Sequence, residues 1–420
     1  MEQVEVPAYI RSESMMLRSH PRLLPLALGS FAIGTDGFMI AGILPRIAAD
    51  AAVDIAAAGW LVTVFSLVYA LGAPFLSTWT GTWNRKKLLT SSLLFFSAAN
   101  FTAAFASGFG VLLVSRIAAA IGAALFTPVA SATAAGLVPP EKRGRALALV
   151  TGGLTVAIVL GVPFGTWVGS LLDWRSTFGI VGFLGLIAAA GAGALLPQVP
   201  PSPSIPLRER LALAGKPQVI LVLGQTFLYT VGGFAVYTYF AELIPHLVPG
   251  GSAWVGPLLL LFGVGSLAGN VLGGYGADRF GPMRTLIAGL LAISAALGMY
   301  TYADTVADPY VRSIVIVAAT LLWGISGWMI TPPQQYRIMS IGVQMPAVLL
   351  SLNGSAIYLG IAVGSLIGGQ WFIHAGIGTL GLLGAVFPLA ALLSIVSGEI
   401  AQRPNPLTGS TTAATPKADG

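Results

Sequence analysis

The sequence predicts an all-α membrane protein of twelve transmembrane helices folded as two pseudo-symmetric six-helix bundles, and three observations lead there. Of its 420 residues, 55% are hydrophobic and 9% charged, and the mean hydropathy is +0.84, values outside those of soluble globular domains. Twelve apolar runs alternate with polar breaks, each about the 20 residues a helix needs to cross the hydrocarbon core. The chain also contains itself twice: Ala157, Gly161, Gly165 and Gly169 match Ala356, Gly360, Gly364 and Gly368, each 199 positions later.

Taken in order, the polar segment 1–22 precedes a first run, 23–45, that exceeds a signal-peptide core of ~7–15 residues and carries Asp36, so it reads as a retained span. The second, 56–78, holds Gly59, Leu61, Phe65 and Gly72, which match Gly256, Leu258, Phe262 and Gly269 of the eighth, 253–277. Spans 88–107 and 110–137 follow, the latter with Arg116. In the fifth, 146–172, Gly153, Ala157, Gly161, Gly165 and Gly169 recur every fourth position and share one helical stripe. Such small-residue stripes let a neighbouring helix approach closely in lipid, and Pro163 within this one predicts a bend. The sixth, 176–197, holds only apolar and small residues from Phe178 to Leu196 and reads as a lipid-facing strut.

Residues 198–217 then form a linker, PQVPPSPSIP followed by LRERLALAGK, extended in its proline part and suited to a short helix in the second. Spans 218–245, 253–277, 285–303, 313–335, 345–373 and 377–400 complete a second bundle, so that 23–197 and 218–400 are the two domains. The tail 401–420 is poor in apolar residues and reads as disordered.

Seventeen of the 21 lysines and arginines fall on one side of this layout; Arg46, Arg175 and Arg312 fall on the other and Arg116 inside a span. That asymmetry predicts both termini in the cytoplasm of a multi-pass cell (inner) membrane protein. The scattered basic residues give no nucleic-acid patch, and the absence of a G-x-x-x-x-G-K-[ST] run gives no nucleotide site. Without cysteine, and with His20, His246 and His374 isolated, neither a metal site nor any other cofactor is expected.

Asp36 lies about midway along its span. A charge there costs at least ~2.5–3.5 kcal/mol on insertion scales, so it calls for a partner or a proton, and Arg116 is the candidate partner. Burial favours the neutral acid and a guanidinium the carboxylate, a balance that brings titration towards neutral pH. A static pair that fixes the packing of spans one and four is the alternative.

Several stretches carry a likeness: TDGFMIAGILPRIA in the first span, RIAAAIGAA from Arg116, GVPFG (Gly161, Pro163, Gly165) followed by Gly169, DWRSTF at Asp173, FAVYTYFAELIP in the seventh, and GGYGADRFGPMR after the eighth. On these motifs the chain resembles the major facilitator superfamily, and within it the twelve-span drug:proton antiporter group that includes chloramphenicol and sugar efflux permeases. GVPFG is similar to that group's antiporter motif, and the loop with Asp278, Arg279, Gly281 and Arg284 to its cytoplasmic gate. The first-half copy of that loop keeps Arg85 but has Gly81, Thr82 and Asn84 where the family has Asp, Arg and Gly.

The resemblance implies a non-enzymatic transporter, working as a monomer in the bilayer, that exports a small neutral or amphipathic molecule in exchange for protons by alternating access. Asp36 and Arg116 would be its coupling pair. It also implies a cavity lined by spans one, four, seven and ten, for which Phe38, Met39, Tyr229, Tyr237, Tyr239, Glu242, Trp323, Trp328, Gln334, Gln335, Asn353 and Tyr358 are the candidates. A sugar or metabolite efflux permease and a membrane ligand sensor that moves nothing are the alternatives.

Overall fold

The computed structural model describes residues 8–198, 206–341 and 345–402. The proline-rich part of the linker and most of the tail lie outside the described residues. The rest is helical: α1 (Ala8–Asp50), α2 (Ile55–Trp79), α3 (Arg85–Ala104), α4 (Phe109–Gly136), α5 (Arg143–Val156), α6 (Val162–Leu171), α7 (Trp174–Leu195), α8 (Leu207–Ala214), α9 (Pro217–Tyr237), α10 (Phe240–Leu247), α11 (Val255–Phe280), α12 (Pro282–Thr305), α13 (Pro309–Met329), α14 (Thr331–Ile341), α15 (Pro346–Ala375) and α16 (Leu380–Gln402). Among the described residues, eleven helical stretches are long and apolar enough to cross a membrane. The predicted third span, α3, is the helix missing from that set. It is 20 residues long but begins Arg85-Lys86-Lys87 and carries serines and Asn100. Two of its buried polar side chains bond back to their own helix, Ser92 Oγ to Leu89 O at 3.0 Å and Asn100 Nδ2 to Phe96 O at 3.0 Å, which lowers the cost of packing it inside the bundle despite its lower hydropathy.

An even number of spans puts both chain ends on one side, here the terminal side; the other is the far side. Helix starts use short polar side chains on orphan N–H groups: Asp54 accepts from Ala57 N (2.6 Å), Asn84 from Lys87 N (3.1 Å) and Asp308 from Tyr310 N (2.8 Å). The three far-side arginines have structural partners. Arg46 donates to Gly169 O and Ser170 O at 2.8 Å each, capping the end of α6 and letting α1 run on to Asp50 rather than stop near 45. Arg175 pairs with Asp50 at 2.8 Å, and Arg312 donates to Val306 O and Leu247 O.

Three spans are broken rather than straight. In the fifth, α5 passes into α6 through a π turn, Ala157–Gly161. Pro163 has no N–H and its ring crowds the carbonyl four residues back, Val159, so the ladder widens there. The seventh breaks between α9 and α10, and the tenth between α13 and α14 just before Pro332 and Pro333. The sixth, α7, is no mere lipid-facing strut. Phe178, Val181, Gly182, Gly185, Ala188, Ala189 and Ala192 are buried against α1 and α3, while Phe183, Leu186 and Ile187 face outwards.

The fifth-span stripe lies against α1. A methyl added at Gly153 would strike the Ala27 carbonyl, at Gly161 the Thr35 hydroxyl, and at Gly169 Ile43 Cγ2 at 2.8 Å. Its repeat in α15 lies against α9 in the same way, Gly360 on Phe227 O, Gly364 on Val231 O and Gly368 on Ala235 O. The equivalent stripe thus meets the equivalent partner helix in each half, which is the predicted two-bundle symmetry in atomic contacts.

The halves meet along α2 with α15, and along the fifth span with α11. On the far side the first seam is closed: Ser365 Oγ donates to Gly59 O (3.0 Å) and Thr63 Oγ1 to Ala362 O (3.4 Å) across it, while Tyr239 Oη, which donates to Ser365 O (2.8 Å) within the second half, abuts Gly59. At mid-depth Tyr69 of α2 stacks on Tyr358 of α15 with ring centroids 3.8 Å apart. The second seam closes at Gly263 of α11 against Ile158 and Val159 of the π turn, whereas α5, on the terminal side, makes only slight contact with α11.

Candidate functional site

Asp36 and Arg116 meet inside the first bundle. Arg116 Nη1 lies 2.6 Å from Asp36 Oδ1, with side-chain exposures of 1% and 0%, and Nη2 donates to the Asp36 carbonyl at 3.4 Å. The guanidinium also sits over the Phe65 ring, 4.3 Å from its centroid, with Phe178 at 5.8 Å, so a ring face helps solvate the cation. Helix geometry explains the aim of Asp36. Thr35 and Met39 are held against Gly161 and Gly165 of the fifth span, and one residue further, about 100° round the helix, the side chain points towards α4 instead.

Asp36 Oδ2 and Arg116 Nε are buried without a hydrogen-bond partner. The pair is therefore desolvated but not fully satisfied. Removing one partner from such a pair costs ~3–5 kcal/mol because the other is left as a lone buried charge. Chemically, a carboxylate with one bonded and one free oxygen in a dry site can take a proton and release its guanidinium.

A second polar cluster joins α9, α14 and α15. Arg337 Nη1 donates to Gln225 Oε1 (2.7 Å) and Gln334 Oε1 (3.0 Å), Gln334 Nε2 to Val222 O (2.8 Å) and Thr226 Oγ1 (3.1 Å), and Thr226 Oγ1 to Asn353 Oδ1 (2.8 Å). Gln334 and Asn353 are thus brought together in one buried network. Gln225, Thr226 and Arg337 were not among the sequence candidates, and Arg337, placed with the loop cations by its sequence, lies within α14. The signal was two adjacent polar residues, Gln225-Thr226, midway in an apolar span.

Aromatic side chains bridge the halves. Phe38 lies 5.8 Å from Phe234 and 6.2 Å from Tyr237, and Tyr237 contacts Phe262 and Trp323, while Trp328 packs edge-on to Phe262 at 5.5 Å. The Tyr237 hydroxyl is buried without a partner, and Tyr229 is buried on the same helix.

Four cavity candidates are elsewhere. Met39 is fully buried against Gly165 of the fifth span. Tyr239 is a far-side seam residue, Gln335, about 100° round α14 from Gln334, is exposed, and Glu242 lies half-exposed on α10 near the far side.

At the loop resembling a gate, Gly281 has φ +89°, a left-handed backbone that favours glycine, and it turns α11 into α12. Asp278 and Arg284 are exposed, and Arg279 donates to the Tyr275 hydroxyl at 2.6 Å. Asn84, where the family has Gly, caps α3 and donates to Gln198 Oε1 at 2.6 Å, and Arg85 beside it is half-buried.

Twelve spans in two like halves, with a seam closed on one side and a buried charge pair beside it, define a transporter fold. The model of the Major Facilitator Superfamily matches residues 26–365. The chain is 34% identical over 370 residues to the uncharacterised MFS-type transporter YbcL of Bacillus subtilis, covering 88% of this chain and 93% of the relative. It is 33% identical over 376 residues to a chloramphenicol resistance protein of Streptomyces lividans, covering 89% and 94%. In structure it is similar to a bacterial homologue of the human lysosomal transporter Spinster, solved inward-facing and occupied, with TM-score 0.70, 21% identity, and coverage of 91% of this chain and 98% of that one. The chain belongs to the Major Facilitator Superfamily and is a multi-pass membrane transporter, not an enzyme.

Proposed function

We propose that the protein is a proton-coupled exporter of a small neutral or amphipathic molecule, with Asp36 and Arg116 as the coupling pair. The observation that carries this reading is the fully buried, half-satisfied ion pair, 2.6 Å between charges, on the helix that the antiporter-like glycine stripe grips. The chloramphenicol resistance relative supports a drug-like cargo. The excess of basic residues on the terminal side supports placing that side in the cytoplasm of a cell (inner) membrane.

The cycle then runs as follows. The form described here, closed on the far side, takes its cargo from the cytoplasm between Phe38, Tyr237 and Tyr358 of the seam and the Gln334–Asn353 wall. The halves rock, the bonds of Ser365 to Gly59 and of Thr63 to Ala362 part, and cargo leaves. A proton arriving from outside neutralises Asp36, loosens Arg116, and is released inwards on return. A proton crossing ~100 mV releases ~2.3 kcal/mol and one pH unit adds ~1.4 kcal/mol, enough to sustain a cargo gradient of a few hundredfold without nucleotide hydrolysis.

Everted vesicles with an imposed pH step, assayed against chloramphenicol, cationic dyes and sugars, test this reading. Asp36→Asn, which leaves Arg116 without its counter-charge, is expected to reach the membrane at a reduced level and, compared at equal amounts of inserted protein, to lose pH-driven flux of whichever compound the wild type moves. Undiminished pH-driven transport by that variant removes Asp36 from the mechanism. Competition by sugars alone reassigns the cargo.

A further inference from the structure

The terminal-side portions of the fifth and sixth spans stand apart. On the far side the two helices are tied, with Thr177 Oγ1 donating to Gly165 O at 3.1 Å, but past the π turn α5 diverges from α7. Between them, with α1 as floor, lies a cavity of about 600 Å³ bordered by Leu28, Phe31, Leu149, Gly152, Val156 and Gly191, among other residues that are all apolar. Phe31 also borders a second cavity, about 230 Å³, which carries the same seam on to Thr35 and Phe164. From Leu24 to Thr35 the floor rises about 16 Å at ~1.5 Å per residue, about half of a ~30 Å hydrocarbon core. The groove therefore has the depth of one leaflet.

It opens sideways, with Leu24, Val156 and Ile187 exposed on its rim, and its larger cavity has no polar side chain to orient a drug-like ligand, Thr35 and Thr177 lying at the inner end beyond it. Its terminal-side entrance is basic. Arg145 sits one turn before Leu149 and continues the stripe Leu149, Gly152, Val156; Arg22 stands three residues before Pro25 on α1. Both are exposed, as are Arg143 and the neighbouring acid Glu141. Guanidinium groups suit a phosphate, and basic sites between spans favour anionic lipid.

We propose that this groove binds one acyl chain of an anionic phospholipid from the leaflet bordering the basic loops, with the headgroup held by Arg22 and Arg145. The polar end and the fatty end of such a lipid meet the two chemistries the groove presents, one after the other along its length. The site is independent of the coupling pair.

The native chain has no cysteine, so Gly152→Cys in the full-length protein offers one labelling position, and nothing lies within 4 Å of a methyl placed there. A bimane at that position is read in proteoliposomes with brominated phosphatidylglycerol or brominated phosphatidylcholine. A bimane at Leu393→Cys, 69% exposed, reports the bulk lipid. The glycerol lipid is expected to quench preferentially at position 152 but not at 393, by about fivefold in relative affinity per arginine, and Arg22→Gln with Arg145→Gln is expected to abolish the preference. Equal quenching by the two lipids at 152, or a preference that survives loss of both arginines, overturns the proposal. In the unlabelled protein, Gly152→Phe fills the groove and is expected to lower the phosphatidylglycerol retained on purification, counted by native mass spectrometry; unchanged retention also overturns it.

Discussion

Asp36 and Arg116 are a pair whose cost and use are separable by substitution. Removing either alone leaves an uncompensated buried charge, worth ~3–5 kcal/mol, whereas replacing both by apolar groups is close to neutral in other buried pairs. A purely structural pair and a coupling pair therefore diverge in the double variant. Asp36→Leu with Arg116→Met is expected to recover the membrane level and melting temperature that Arg116→Met alone loses, while pH-driven flux stays absent. Recovery of flux together with folding leaves the pair a packing device. That the two residues meet was readable from the chain, since two lone opposite charges in apolar spans have few other partners. The Gln225, Thr226, Gln334, Arg337 and Asn353 cluster was not, because its members are ordinary polar residues spread over three helices and only folding brings them within 3.1 Å or less of each other along the chain of bonds.

At the scale of the helix, the fifth span combines a close-packing stripe with a local widening, and the sequence showed the two unequally. The stripe follows from spacing alone, because four-residue steps put Gly153, Gly161 and Gly169 on one face. The π turn does not, because Pro163 predicts only some break in the ladder and the surrounding packing decides its form. The buried face of α7 was legible in principle from Gly182, Gly185, Ala188, Ala189 and Ala192, small residues at helical spacing, but the overall apolarity of that span masks it. Adjacent glycines give a matched test of the stripe. At Gly153 a methyl meets the Ala27 carbonyl and Phe31 N (3.1 Å), while at Gly152 it meets nothing within 4 Å. Gly153→Ala is expected to lose ~1–3 kcal/mol through overpacking, and Gly152→Ala to gain ~0.4–1 kcal/mol from a stiffer unfolded chain. Thermal melts of the purified variants in detergent check both, and equal shifts would mean that α5 does not grip α1 as described.

For the whole molecule, alternating access requires that the far-side seam between α2 and α15 separate in every turnover. In the closed form the Ala56 Cβ lies 3.2 Å from where a Cβ on Gly369 would stand, near the ~3.5–4.5 Å that a disulfide spans. With no native thiol to compete, Ala56→Cys with Gly369→Cys is expected to cross-link on mild oxidation and to hold the far side shut. Flux in vesicles then falls to background and returns on adding dithiothreitol, while either single variant transports in oxidant as it does without. The Tyr239 hydroxyl also borders position 369, so Gly369→Cys alone has a cost, and the single variant measured without oxidant sets the baseline for the pair. A cross-linked protein that still turns over at the baseline rate would mean that these ends of α2 and α15 stay joined throughout. The rocking would then have to hinge there, with opening confined to the fifth-span seam where Gly263 rests on the π turn.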